Sequence, residues 1–149
     1  MSAVSKGLIR PTALRYVETS ALLAAIMEAD LKAFASFAAE GQLVASSLTF
    51  AEARRATIAG RVLGRFDVDR ERRMLEAIEA LERRCDVVHI SSDILGRVGQ
   101  PFAAEPLRAL DAIHLASSES LVEDPHELVV VTRDKRIEAN ARAIGYGVE

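Results

Sequence analysis

Apolar positions along this chain change period several times, and each change marks a new element. Leu14 to Val17 is a short strand-like run, and residues 19–42, TSALLAAIMEADLKAFASFAAEGQ, follow with helix formers and apolar residues three and four apart, ending near Gly41. One strand therefore feeds one or two helices. The run 43-LVAS-46 reads as a second strand, followed by helices over 49-TFAEARRATIAGRVLG-64 and 69-DRERRMLEAIEALERR-84. The β-branched stretch 86-DVVHI-90 predicts a third strand, and 91-SSDILGRVG-99 a short helix. Residues 99–106 form a loop before a longer helix, 107-LRALDAIHLASSESL-121. The clearest strand is 128-LVVVT-132, continuous and apolar as expected when both faces of a sheet are covered. A last helix, 134-DKRIEANARAIG-145, stops at Gly145, and Tyr146 to Val148 reads as an edge strand.

Strands alternating with helices imply right-handed crossovers, hence an α/β fold: a three-layer α/β/α sandwich around a central, mostly parallel sheet. With 149 residues, half of them apolar, the chain suits a single domain over 1–149 with one substantial core. Residues 1–12 read as a loosely held arm.

Composition narrows the function. The net charge of −3 argues against a protein that coats nucleic acid through its overall field, so any such contact is local. Arginine outnumbers lysine heavily, and guanidinium forks suit phosphates, although most of these arginines read as solvated helix faces with partners one turn away, as Glu79 has in Arg83. Cys85 is the single cysteine, so no intramolecular disulfide and no Cys/His zinc set is possible. A reducing cytoplasm is the expected location. The first fifteen residues lack the apolar core of a signal peptide, and no apolar run approaches the roughly 20 residues of a membrane span, so no membrane association is expected.

Open parallel sheets bind ligands outside the carboxyl ends of their strands. Four acids fall at or near such places: Glu18 after the first strand, Glu52 in the first turn of the helix after the second, Asp111 early in the 107–121 helix, and Asp134 after the 128–132 strand. Each has an ordinary alternative. Thr49 and Glu52 match the T-x-x-E capping box, Asp134 can cap the last helix, and Glu18 can favour the dipole of the helix that starts at Thr19. Asp111 is harder to explain in this way. It sits among apolar residues in 110-LDAIHLA-116, where a lone carboxylate is costly without a partner or a metal. Carboxylates brought close together need cations to stay ionised, and the hard ions Mg²⁺ and Mn²⁺ prefer oxygen ligands. Such ions activate a water and clamp a phosphate oxygen, which points to phosphodiester hydrolysis.

The stretches YVETSALL, LTFAEARRA, LRALDAIHLA and VVVTRDKRI, in this order and spacing, resemble the PIN-domain ribonucleases, in particular the VapC-type toxins of toxin–antitoxin pairs. The resemblance covers nearly the whole chain after the arm, and the last two stretches are the more specific as a pair. It implies a metal-dependent endoribonuclease acting on RNA, usually a homodimer, inhibited by a cognate antitoxin whose tail enters an acidic groove. Carried over to this sequence, the four catalytic and metal-holding acids are Glu18, Glu52, Asp111 and Asp134. Thr19 and Ser20 match the hydroxyls after the first acid, and Thr132 the one before the last. Such hydroxyls orient a carboxylate or a metal-bound water. His114, three residues after Asp111, is read as a core or supporting residue, with general base the alternative. The family usually has Asp where this chain has Glu18. The extra methylene shifts the carboxylate by over about an ångström, in a site that wants metal–oxygen distances near about 2.1 Å.

Two other readings compete. A catalytically silent PIN domain that only binds RNA or a partner is favoured by Glu18. A receiver-type signalling domain needs an Asp ending a central strand, and 86-DVVHI-90 is followed by Ser91 and Ser92 instead.

Overall fold

The computed structural model describes residues 13–149, and the arm expected over 1–12 lies outside them. Five strands, β1 (Leu14–Val17), β2 (Leu43–Ser46), β3 (Asp86–Val88), β4 (Leu128–Val131) and β5 (Gly147–Val148), form one sheet in the order β3-β2-β1-β4-β5. Every pairing is parallel, with Tyr16 opposite both Val44 and Val130. The seven helices are α1 (Thr19–Glu28), α2 (Leu31–Ala38), α3 (Ser47–Val62), α4 (Val68–Arg84), α5 (Ser92–Val98), α6 (Ala109–Glu119) and α7 (Lys135–Ile144). The 19–42 segment thus holds two helices, parted where Ala29 takes a left-handed φ of 53° and the Asp30 side chain caps α2 through the Lys32 and Ala33 amides.

Period-two alternation decides which layer each strand residue joins. Val17, Leu43, Ala45 and Val131 point to one face, where Ala21, Leu22, Phe37, Phe50, Ile78 and Leu81 of α1 to α4 cover them. Tyr16, Leu128 and Val130 point to the other, under Ile94, Leu115, Ala116, Ile137 and Ala141 of α5 to α7. These are the three layers of an α/β/α sandwich, and burial in two clusters is its main stabilisation.

The chain winds from β1 outward to β3, then crosses back over the other face to β4. The order reverses between β1 and β4, so the connections after these two strands diverge and leave a crevice at their carboxyl ends. Glu18 follows β1, and Thr132, Arg133 and Asp134 follow β4. Among the described residues no helix is long and apolar enough to cross a membrane.

The capping box expected at Thr49 and Glu52 does not form. Helix α3 starts two residues earlier, at Ser47, capped by Ser46 through the Leu48 amide. Thr49 is buried within its first turn and donates to the carbonyl of Val17 on β1 at 3.1 Å. Glu52 falls in the second turn and is free to point elsewhere.

Candidate active site

Glu18 occupies the cap position of α1 but makes no capping bond. The residue is 4 % exposed, and its carboxylate turns instead toward the loop after β4. Oε2 accepts from Thr132 Oγ1 at 2.8 Å and from the Ser20 hydroxyl. Both hydroxyls are themselves oriented by backbone: the Arg133 amide donates to Ser20 at 2.8 Å, and the Asp134 amide to Thr132 at 3.0 Å. With their lone pairs engaged by amides, the hydroxyl protons are left to Glu18.

Glu52, on α3, is held from two sides. Thr19 Oγ1 donates to its Oε1 at 2.7 Å, and His114 Nε2 stands 2.7 Å from the same oxygen. A carboxylate only accepts, so Nε2 carries the proton. The other imidazole nitrogen, Nδ1, lies 2.9 Å from the Tyr16 hydroxyl. Burial and the Glu18 charge, partly offset by the hydroxyls of Ser117 and Ser46, push the Tyr16 phenol well above its ordinary range. Tyr16 therefore keeps its proton and donates it to Nδ1, which completes a line from buried Tyr16 through buried His114 to half-buried Glu52. Burial opposes ionisation of Glu52, but the hydrogen bonds from His114 and Thr19 and the Arg108 charge outweigh it, and the carboxyl lies below its ordinary range.

Asp111 lies in the first turn of α6, 7 % exposed, and its partner is Arg108, one turn earlier. Arg108 Nε donates to Asp111 Oδ2 at 3.0 Å, and Nη2 reaches within 3.9 Å of Asp134 Oδ2. Asp134 caps α7, its Oδ1 accepting from the Arg136 and Ile137 amides at 2.8 and 3.1 Å. The capping role foreseen for it is real, and it occupies only one of its two oxygens.

The structure thus brings all four acids to the carboxyl edge of the sheet, as two linked pairs. Glu18 and Glu52 share His114, whose Nε2 is 4.0 Å from Glu18 Oε1, while Asp111 and Asp134 share Arg108. Among the described residues, Glu18 Oε1, Glu52 Oε2, Asp111 Oδ1 and Asp134 Oδ2 accept no hydrogen bond, so each acid keeps one oxygen uncommitted. As they stand, no three His, Cys, Asp or Glu side chains among the described residues are spaced to hold a metal ion. Carboxylate oxygens suit a hard divalent cation in kind.

Sequence reasoning missed two members. Tyr16 reads as a strand core residue, and its partner is 98 residues away. Arg108 stands in LRALDAI three positions before Asp111, a spacing that puts both on one helix face and gives the signal for it.

A family model described as the PIN domain matches residues 15–143. No curated protein sequence matches the chain. Among solved structures, VapBC2 from Rickettsia felis bound to a DNA fragment from their promoter has a TM-score of 0.61 at 10 % identity, covering 91 % of this chain and 97 % of that one. VapBC-1 from nontypeable Haemophilus influenzae has 0.57 at 15 % identity, over 91 % and 96 %. A toxin-antitoxin complex from Klebsiella pneumoniae has 0.56 at 23 % identity, over 92 % and 95 %.

Proposed function

Because this chain belongs to the PIN-domain family, we propose that it is a divalent-cation-dependent endoribonuclease, a VapC-type toxin restrained by a cognate antitoxin. The observation that carries this reading is the set of four acids at the switch point of the sheet, each with one oxygen uncommitted. Glu18, Glu52, Asp111 and Asp134 would hold Mg²⁺ or Mn²⁺, which would supply Lewis acidity toward a phosphodiester oxygen and activation of a water.

The chain's own residues do the positioning. Ser20 and Thr132 hold Glu18 by one oxygen and leave the other outside any hydrogen bond. Thr19 and His114 do the same for Glu52, with Tyr16 fixing the imidazole from behind. Such outer partners cut the freedom that carboxylates lose when they close around a cation. His114 is 2 % exposed and already engaged at both nitrogens, so it orients Glu52 and does not act as general base.

The similar structures include two VapBC assemblies and a toxin-antitoxin complex, which supports an antitoxin as partner. From the resemblance, the proposal also takes the chain to act on RNA as a homodimer in the cytoplasm. The test is cleavage of end-labelled single-stranded RNA by the purified chain. Internal cuts should form with Mg²⁺ or Mn²⁺, stop with EDTA, and vanish in Asp111→Asn. A folded wild type that cuts no RNA with either ion contradicts the proposal and favours the silent PIN domain, for which Glu18 in place of the usual Asp speaks.

A further inference from the structure

Arg108 sits at the mouth of the acid cluster and is built unlike its other members. Its side chain is 70 % exposed, yet it folds back over Asp111 instead of extending into water. A guanidinium has five N–H donors, and among the described residues only Nε makes a hydrogen bond. Nη2 rests 3.9 Å from Asp134 Oδ2, a distance at which charge acts without a bond, and the Asp111, Asp134 and Glu52 charges all favour its protonated form. The terminal fork, the part of arginine shaped for phosphate, thus makes no hydrogen bond among the described residues and belongs to an exposed side chain.

We propose that Arg108 is a built-in counter-cation of the Asp111 and Asp134 pair that a divalent cation displaces, and that the released guanidinium then binds a phosphate of the RNA strand. This rests on the nuclease reading for the identity of the strand, but not for the displacement. Before a cation arrives, Arg108 offsets the repulsion between two acids brought together by different elements. Once Asp111 and Asp134 turn to the cation, the arginine loses its partners while remaining beside the reacting phosphodiester. The side chain is 70 % exposed and turns about four bonds, so release from Asp111 needs no burial of the guanidinium.

Two measurements on the full chain test this. Titration calorimetry gives Mn²⁺ affinity for wild type, Arg108→Ala and Arg108→Lys. Removing the charge should tighten Mn²⁺ roughly threefold to tenfold, as expected for loss of a competing, largely exposed ion pair, and lysine should stay within about twofold of wild type. Fluorescence anisotropy then follows an uncleavable 2′-O-methyl RNA oligonucleotide with Mg²⁺ across a salt series. The slope of log affinity against log salt should fall by about one in Arg108→Ala, the signature of one lost phosphate contact. Equal Mn²⁺ affinity in wild type and Arg108→Ala overturns the proposal, and so does an unchanged salt slope. Both effects in a chain that cuts no RNA would uphold Arg108 and remove the nuclease reading, while RNA cleavage without either effect would do the reverse.

Discussion

Tyr16→Phe removes one oxygen from the interior and nothing else. Tyr16 is 1 % exposed and His114 2 % exposed, so no solvent replaces the lost donor at Nδ1. A buried acceptor left without a partner costs about 1–3 kcal/mol, and the ring contacts that Tyr16 makes on its face of the sheet survive the change. At about 3 °C per kcal/mol for a chain of this size, a loss near 2 kcal/mol lowers the melting temperature by roughly 6 °C. Thermal unfolding followed by circular dichroism measures the shift. Nitrogen NMR of the His114 ring adds a local readout: Nε2 should stay protonated against Glu52, and the Nδ1 resonance should move to that of an unbonded acceptor. A melting temperature within about 1 °C of wild type, with the Nδ1 resonance unmoved, refutes the line from Tyr16 through His114 to Glu52.

Three further outcomes follow from the geometry. The Arg133 hydrogen bond, with the Ala33 and Lys32 amides, holds the Asp30 carboxyl at about 2 against its ordinary 3.8. The folded-state value is the lower one, so the stability it contributes is complete above about pH 4 and fades as pH falls toward 2; acid titration of the unfolding midpoint should show this component, and Asp30→Asn should lose it. Thr132→Val deletes a donor to Glu18 and the acceptor of the Asp134 amide, both in a residue 4 % exposed, and should cost about 1–3 kcal/mol in urea unfolding; an unchanged midpoint would contradict the bonding described. Gly41 has a φ of +130°, and an added Cβ would lie 2.7 Å from the Ala13 carbonyl oxygen, so Gly41→Ala should destabilise the chain by about 1–3 kcal/mol, read by the same unfolding curves.

The element order was legible because its cause is local. A shift from period two to period 3.6 survives any tertiary context, and the strands and helices lie within a few residues of where those shifts put them. The helix start at Ser47 was not legible, because T-x-x-E satisfies the local rule as well as Ser46 does. The choice was made by Val17, 32 residues away, whose carbonyl takes the Thr49 hydroxyl. The four acids could be placed at one edge from topology alone, but not their division into two pairs. That division depends on which donor, the His114 imidazole or the Arg108 guanidinium, reaches which carboxylate, and side-chain reach across elements leaves no trace in spacing. Asp111 was expected to need a partner or a metal, and among the described residues its hydrogen-bond partner is the arginine one turn before it.

Glu18 is the acid on which the proposed chemistry depends most directly. Its Oε2 meets two hydroxyls fixed by backbone amides, a receptor matched to the reach of glutamate, and its Oε1 accepts no hydrogen bond among the described residues. Shortening the side chain withdraws it from both hydroxyls, and truncation removes it. The most direct measurement is the rate of Mn²⁺-dependent RNA cleavage by wild type, Glu18→Asp and Glu18→Ala, each shown to be folded by circular dichroism. The account predicts cleavage by wild type, a loss of roughly tenfold or more in Glu18→Asp as a positioned ligand is withdrawn, and no cleavage in Glu18→Ala. Cleavage by Glu18→Ala as fast as wild type would reduce Glu18 to a helix-start residue, and a silent wild type revived by Glu18→Asp would show the pocket is still shaped for aspartate.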